Sequence, residues 1–212
     1  MEYKKYLLPK EKHLNKPWRV HELASDFELH DTWVVSLPLG ESEEDNFAAF
    51  HKMFVENGTK TDSWIVDKLF RLRFFLGRVF GWDTREELTI PGTREGSLLE
   101  RLTAEDIETA EEVGSIQDFG ETDSHLIYRY KNESLMEIAN KTIHALIHLG
   151  AVEEEDGKAI QVAIYIKSRG TASRFYMGLI KPFRYAFVYP GLFSYLTREW
   201  KRAHPTSVPT HS

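Results

Sequence analysis

Apolar and polar positions follow two different spacings in the two halves of this chain. In the first half, residues 30–39 are rich in β-branched and aromatic side chains and end near a proline, which predicts a strand. Two segments with apolar residues at helical spacing come next. The first, residues 42–57, begins at the candidate N-cap Ser42, and the second covers residues 62–83. The first half is therefore predicted as a strand followed by two helices.

A short acidic segment, residues 102–114, predicts a further helix. Thr103 is the candidate N-cap, Asp106 lies three residues later, as in a capping box, and Gly114 marks the expected end. The carboxylates of this segment do not follow the spacing of a calcium loop. We therefore expect a solvated acidic face here and no metal site.

The second half changes to the two-residue alternation that is typical of strands. Three strands are predicted, at residues 121–132, 134–152 and 158–168, and short turn-like links between them favour an antiparallel meander. The aromatic segment 171–202 then predicts a long C-terminal helix. Pro182 should bend or restart this helix, and a second break is expected at Pro190 and Gly191.

Helices and antiparallel strands are segregated along the chain, and this order predicts an α+β fold. No internal repeat or low-complexity linker divides the sequence. We predict a single domain over residues 18–202, preceded by an N-terminal extension at residues 1–17 and followed by a flexible tail at residues 203–212.

Composition and charge narrow the range of functions. The chain has 212 residues, of which 42% are hydrophobic and 28% are charged, as is usual for a soluble globular protein. The net charge of -6 argues against a nucleic-acid surface, and the absence of cysteine excludes disulfides and thiolate chemistry. No apolar run is long enough for a transmembrane helix, so we expect a cytoplasmic protein without membrane insertion. No cofactor is expected, and the oligomeric state is left open.

His144 and His148 are the most distinctive polar pair in the sequence. On a helix, a spacing of four residues would let them share a metal ion, whereas on a strand they would lie about 13 Å apart. The β-branched neighbours Thr142 and Ile143 favour the strand, so no metal site is expected. Asn140, Thr142, His144 and His148 then share one polar face, which either meets water or lines a pocket.

Two pairs of segments carry a resemblance to a known family. The segments "EIANKTIHALIHLGAV" and "AIYIKSRGTASRFYMGLIKPFRYAFVYPGLFSYLTREW" are similar to the C-terminal half of the bacterial domain-of-unknown-function family 2867. The segments "WRVHELASDFELHDTWVVSLPL" and "LFRLRFFLGRVFGWD" resemble its first half, so the similarity covers residues 18–200. One departure is Ala151, which stands where the family usually has tryptophan. The motifs N-x-T-x-H-x-x-x-H and Y-M-x-x-I-K-P-F-R fall, with two later positions, on Asn140, Thr142, His144, His148, Tyr176, Met177, Lys181, Pro182, Phe183, Arg184, Tyr189 and Pro190.

The resemblance implies a START-like, helix-grip fold, in which an antiparallel sheet wraps a long C-terminal helix and leaves a cavity between them. No activity is established for the family, so it implies a fold and a site but no reaction. We expect the cavity to bind a small hydrophobic or amphipathic molecule. The expected site residues are Asn140, Thr142, His144 and His148 from the sheet, with Tyr176, Lys181 and Arg184 from the helix.

Two other functions remain open from the sequence. The first is a cavity enzyme of cyclase, dehydratase or hydrolase type, in which His144 or His148 acts as general acid or base. No nucleophile elbow or phosphate-binding loop accompanies these histidines. The second is an interaction module whose aromatic helix binds a partner or a membrane surface, but the helix carries few charges for that role. Whether Lys181 and Arg184 point towards the two histidines is the positional test of the predicted site.

Overall fold

The computed structural model describes residues 2–36, 43–57, 96–119, 122–139, 143–154, 157–168, 181–182 and 184–204. The predicted helix at residues 62–83 lies outside these described residues, and so do Ser42, Asn140, Thr142 and Tyr176. The predicted flexible tail also lies outside them, apart from residues 203–204.

A six-stranded antiparallel sheet forms the centre of the described structure. In chain order its strands are β1 (Glu28–Ser36), β2 (Ile116–Phe119), β3 (Thr122–Arg129), β4 (Glu133–Ala139), β5 (Ile143–Glu154) and β6 (Gly157–Ser168). Their spatial order is β1-β6-β5-β4-β3-β2, so the first strand lies beside the last and the other strands form a meander. The predicted α+β class and the predicted antiparallel meander are confirmed.

One predicted strand is in fact two strands. Residues 134–152 contain parts of β4 and β5, which pair antiparallel with Ala139 opposite His144. The alternation of side chains continues through both strands, and Asn140 is the one strong turn-former between them, so the hydrophobic pattern carries no clear sign of the reversal. The short strand β2 was also not predicted.

The described helices are short except for two. They are α1 (Lys10–Leu14), α2 (Val20–Leu23), α3 (Glu43–Asn57), α4 (Ala104–Thr109) and α5 (Tyr189–Ala203). Short 3-10 helices cover Glu2–Lys5 and Leu98–Arg101, and a π-helical segment, Arg184–Val188, precedes α5. The position of α3 confirms the first predicted helix. Among the described residues, no helix has the length and apolarity to cross a membrane.

Two predicted helix boundaries need correction. The capping box of Thr103 and Asp106 is present, but α4 ends at Thr109 rather than near Gly114. The chain is already extended at Ala110, because Glu112 forms a bridge with Arg129 next to the sheet. In the C-terminal helix, the π-helical segment Arg184–Val188 changes to the α-helix α5 at Tyr189, next to Pro190, so the irregularity predicted there is a change of helix type in a continuous helical chain. A proline is tolerated in a first turn since its missing N–H would have no helical partner.

The sheet buries both of its faces. The first, here called the helix face, carries Trp33, Val162 and Leu149, which are neighbours across three adjacent strands. It packs against aromatic and aliphatic side chains of α3 and α5, among them Phe50 and Phe193. This interface is the larger part of the apolar core.

The second, here called the histidine face, carries His144, His148 and Gln161. The segment from α1 to Phe27 and the segment around Leu98 cover it. The interpretation that this polar face meets water is wrong, because His148 and Gln161 are 0% and 3% exposed. Since β6 is also buried on both faces, its two-residue alternation does not indicate a strand with one face in water.

Part of the predicted N-terminal extension packs with the domain. The backbone of Tyr6 and Leu8 exchanges hydrogen bonds with Val34 and Thr32 along the free edge of β1. This pairing brings α1 and its buried His13 onto the histidine face. The N-terminal residues therefore supply side chains to the interior of the protein.

Candidate functional site

His148 lies at the centre of a buried polar cluster on the histidine face. Its Nε2 atom is 2.9 Å from Oε2 of Glu133, and the hydroxyl of Tyr128 donates to the same carboxylate oxygen at 3.2 Å. The other oxygen of Glu133 accepts the backbone N–H of Arg19 at 3.1 Å. Burial, assisted by the Glu133 carboxylate, raises the pKa of the Tyr128 hydroxyl. Glu133 of β4 therefore links β3, β5 and the N-terminal segment that covers this face.

His13 extends this cluster from α1. Its Nδ1 faces Oε1 of Gln161 at 3.1 Å, and its Nε2 is 2.8 Å from the hydroxyl of Tyr165. Since a carbonyl oxygen only accepts, Nδ1 of His13 carries the proton and Nε2 accepts from Tyr165. Burial, together with the nearby His148, lowers the pKa of His13 to about 3, so this imidazole is neutral at physiological pH.

His144 belongs to a second carboxylate pair on the same face. Its Nε2 contacts Oε1 of Glu137, whose other oxygen accepts the hydroxyl of Ser97 at 2.6 Å. The backbone N–H of Leu98 also donates to Glu137, at 3.2 Å. A serine nucleophile requires the imidazole between the hydroxyl and the carboxylate, but here the carboxylate is in the middle. This group therefore anchors the segment around Leu98 and lacks the order of a catalytic triad.

A metal centre on the histidine face would need several histidine or carboxylate ligands close together. The strand assignment of His144 and His148 is confirmed, and their nearest partners are the two glutamates. Within the described ranges, no group of three histidine, aspartate or glutamate side chains has an arrangement that could hold a metal ion.

A second polar cluster lies on the helix face, around Asp31 of β1. Asp31 is 1% exposed and accepts hydrogen bonds from the hydroxyls of Tyr185 and Tyr189 at 2.6 and 2.7 Å. Nη2 of Arg184 lies 3.1 Å from Oδ2 of the same carboxylate. Asp31 was not predicted as a site residue, although a single acid between the aromatic and β-branched residues of β1 is a sequence signal for a buried polar site.

Several hydrogen-bond donors in this cluster are enclosed but unused. Nε and Nη2 of Arg184 and Nε1 of Trp33 are buried without a hydrogen-bond acceptor among the described residues. The contact of Nη2 with Asp31 is an ion pair and is not aligned as a hydrogen bond. The ring centres of Trp33 and Tyr185 are 4.9 Å apart, and Nζ of Lys181 is 5.5 Å from the Tyr185 ring centre. Cations, rings and unused donors therefore meet at one place.

The structure separates the predicted site residues into two groups. His144 and His148 lie on the histidine face, while Arg184 contacts Asp31, which belongs to the helix face because it pairs with Ile164 opposite Ile147. The prediction that these histidines and cations converge on one pocket is wrong, since a strand presents successive residues to opposite faces. Whether either group binds a ligand stays a prediction.

The described part of the interface between the sheet and α5 is packed with side chains and is not an open cavity. Trp33, Phe193, Leu196 and Trp200 are all fully enclosed between the sheet and α5. Side chains therefore fill the described interface between the sheet and α5.

Comparison with known proteins assigns the chain to a family. A family model described as protein of unknown function (DUF2867) matches residues 23–191, a range that includes the whole sheet, both glutamate pairs and the Asp31 cluster. Neither the curated proteins nor the solved structures gave a significant match. Because the match covers most of the chain, the protein belongs to the DUF2867 family of proteins of unknown function.

Proposed function

We propose that this protein binds a small amphipathic ligand, with an apolar body and one anionic group, beside Arg184 at the beginning of the C-terminal helix. The observation that carries the proposal is the enclosure of Arg184 Nε and Nη2 without a hydrogen-bond acceptor among the described residues. A buried donor without a partner costs about 1–3 kcal/mol, and more when it is charged. An anionic ligand would supply the missing acceptor.

The chemistry of the Asp31 cluster fits such a ligand. A guanidinium has five N–H groups in a planar fork, and Nε and Nη2 of Arg184 have no hydrogen-bond acceptor among the described residues, so their N–H groups remain for a carboxylate. The indole N–H of Trp33 is a further unused donor. The ring of Tyr185, which is only partly buried, offers apolar surface for the rest of the molecule.

Asp31 holds the other side chains of this cluster in fixed positions. Its carboxylate holds Tyr185, Tyr189 and Arg184, which come from one short stretch of helical chain. Burial and then the charge of Asp31 raise the pKa of the Tyr189 hydroxyl, which therefore stays protonated and keeps donating to Asp31. The cation is thus placed before any ligand arrives, and this reduces the ordering cost of binding.

A helix-grip, START-like relationship is part of the same proposal. It is supported by the antiparallel sheet in which β1 lies beside β6, and by α5 across one face of that sheet. The alternative of a cavity enzyme gains no support from the two histidines. Both imidazoles are buried against glutamates, and His148 is 0% exposed.

Binding of two amphipathic anions tests the proposal. The fluorescence of anilinonaphthalene sulfonate should rise when it is mixed with the protein, and decanoate should displace the dye. Arg184→Gln should weaken both probes by about tenfold, the loss expected when one charged hydrogen-bonding group is removed.

Arg101→Gln is the matched control for this experiment. Arg101 also pairs with an aspartate, Asp26, at 2.6 and 2.9 Å, but this pair belongs to the histidine face together with Lys167. The control should bind both probes as the wild type does. No binding by the wild type, or equal binding by Arg184→Gln and the wild type, would overturn the proposal.

A further inference from the structure

A basic groove lies at the far end of α5 from Arg184. It has a volume of about 440 Å³ and runs between the N-terminal 3-10 helix and the last two turns of α5. Four cationic side chains line it, and none of its described lining residues is acidic. The four cations are Lys5, Arg198, Lys201 and Arg202.

Hydroxyl groups complete the lining of the groove. The hydroxyls of Tyr6 and Ser194 are 3.3 Å apart, and since only one O–H is used between them, the other is available to an acceptor. The hydroxyl of Thr197 lines the same groove and donates to the carbonyl of Phe193 at 2.7 Å. The groove therefore presents positive charge and neutral hydroxyl groups together.

The charge of this groove is not a consequence of general basicity. The chain carries a net charge of -6, so the groove opposes the overall sign of the protein. Cations in the last turn of a helix are favoured by the helix dipole, which accounts for Lys201 and Arg202. The dipole does not account for Lys5, which reaches the same groove from the opposite end of the chain.

Glu199 sets the geometry of the groove rim. Its Oε1 lies 2.8 Å from Nη1 of Arg202 and 3.5 Å from Nε of Arg198. One carboxylate is thus shared by two of the four cationic side chains that line the groove. Removal of the Glu199 charge should raise the potential in the groove without removing any donor.

We propose that this groove binds the phosphate groups of a free small molecule that carries at least two phosphate charges. Arginine forks and lysine ammonium groups bind phosphate oxygens through charge-assisted hydrogen bonds, and the hydroxyls add a neutral donor. A volume of about 440 Å³ lies within the range of small-molecule sites. This site is separate from the one at Arg184 and does not depend on it.

Titration calorimetry with inorganic pyrophosphate at low ionic strength tests the proposal. Lys201→Glu and Arg202→Glu should each weaken binding by about tenfold or more, because each replaces an attraction by a repulsion. Both side chains are exposed, so the fold should tolerate either change. If one variant does not fold, the other still tests the proposal. Glu199→Gln should bind pyrophosphate more tightly than the wild type does. Lys12→Glu, an exposed residue of α1, is the control and should bind as the wild type does.

The outcomes distinguish specific phosphate binding from general charge attraction and from membrane binding. Loss of affinity in both groove variants, with a gain in Glu199→Gln and no change in the control, supports the proposal. Absence of pyrophosphate binding by the wild type overturns it, as does an equal loss in Lys12→Glu, which would indicate general charge attraction. Co-sedimentation with phosphatidylglycerol vesicles in the absence of pyrophosphate binding also overturns it, because the groove would then recognise a membrane surface.

Discussion

Both faces of the sheet are buried, but the interactions that stabilise the buried residues differ between them. On the helix face, large rings such as those of Trp33, Phe193 and Trp200 fill the space against α5. On the histidine face, His13, His148 and Glu133 are enclosed as well, and each has a polar partner. A polar stripe can therefore be as deeply buried as an apolar one when the neighbouring strand and a covering segment supply hydrogen-bond partners.

This difference predicts different responses to substitution. The helix face should respond to lost volume, since its energy comes from apolar contacts. The histidine face should respond to lost hydrogen bonds, added volume and pH. Four measurements test this difference between the two faces.

The largest effect is expected on the helix face, for Trp200→Ala. Trp200 is fully enclosed, contacts Phe50 at a ring distance of 5.9 Å and stacks on His204. The free energy of unfolding should fall by about 3–5 kcal/mol, measured by urea denaturation. Phe187→Ala is the control, because Phe187 is 38% exposed and its loss should cost far less. Similar costs for both would show that α5 is not packed as described.

A smaller loss is expected on the histidine face, for Glu133→Ala. This change removes the acceptor for His148, Tyr128 and the backbone of Arg19, and should lower the free energy of unfolding by about 3 kcal/mol. Glu133→Gln keeps a carbonyl acceptor and should lose less. Glu105→Ala, at an exposed position of α4, is the control. If Glu133→Ala is as stable as this control, the polar network does not stabilise the fold.

Gly150→Ala tests how closely the N-terminal segment packs on β5. A Cβ atom at Gly150 would lie 2.8 Å from Cζ2 of Trp18 and 3.0 Å from Cε1 of His148. The overlap should cost about 2 kcal/mol of unfolding free energy. In a Trp18→Phe background the overlapping ring atoms are absent, so the same change should cost less. Equal costs in both backgrounds would mean that Trp18 does not lie over Gly150.

The smallest effect is the pH dependence contributed by His13. The pKa of His13 in the folded protein is about 3, below the ordinary value of 6.5. As pH falls, the unfolded chain therefore binds a proton at this histidine before the folded protein does. Stability is therefore complete above pH 6.5 and decreases as pH falls from 6.5 towards 3. Between pH 6 and 5 this histidine should account for about 1 kcal/mol of the decrease.

The comparison with His13→Gln isolates that contribution. The groups around His13 are His21 and His148, the Glu133 carboxylate, and the neutral partners Gln161 and Tyr165. Burial also lowers the pKa of His21, so the variant should keep part of the pH dependence. The unfolding free energy of the wild type should decrease more steeply with falling pH than that of His13→Gln. Parallel curves would contradict the prediction that His13 is buried in its neutral form.

Much of the fold could be predicted from local patterns. The strand at β1, the helix at α3 and the capping box of Thr103 follow from side chains that interact within a few residues of each other. The division of residues 134–152 into β4 and β5 could not be predicted, because the two-residue period is the same on both sides of the reversal. For the candidate site, Arg184 was predicted but its partner Asp31 was not, since the two are far apart in sequence.

The order of residues alone determined three properties of the protein. They are the α+β class, the strand character of His144 and His148, and the absence of cysteine chemistry. These properties depend on side-chain period and residue type, which are local. The pairing of β1 with β6, the choice of which face meets α5, and the separation of the histidines from Arg184 came from the packed structure. They depend on which segments cover each face, and the N-terminal segment reaches the histidine face through its pairing with the edge of β1. Long-range burial, and not local spacing, therefore placed the polar residues of this protein.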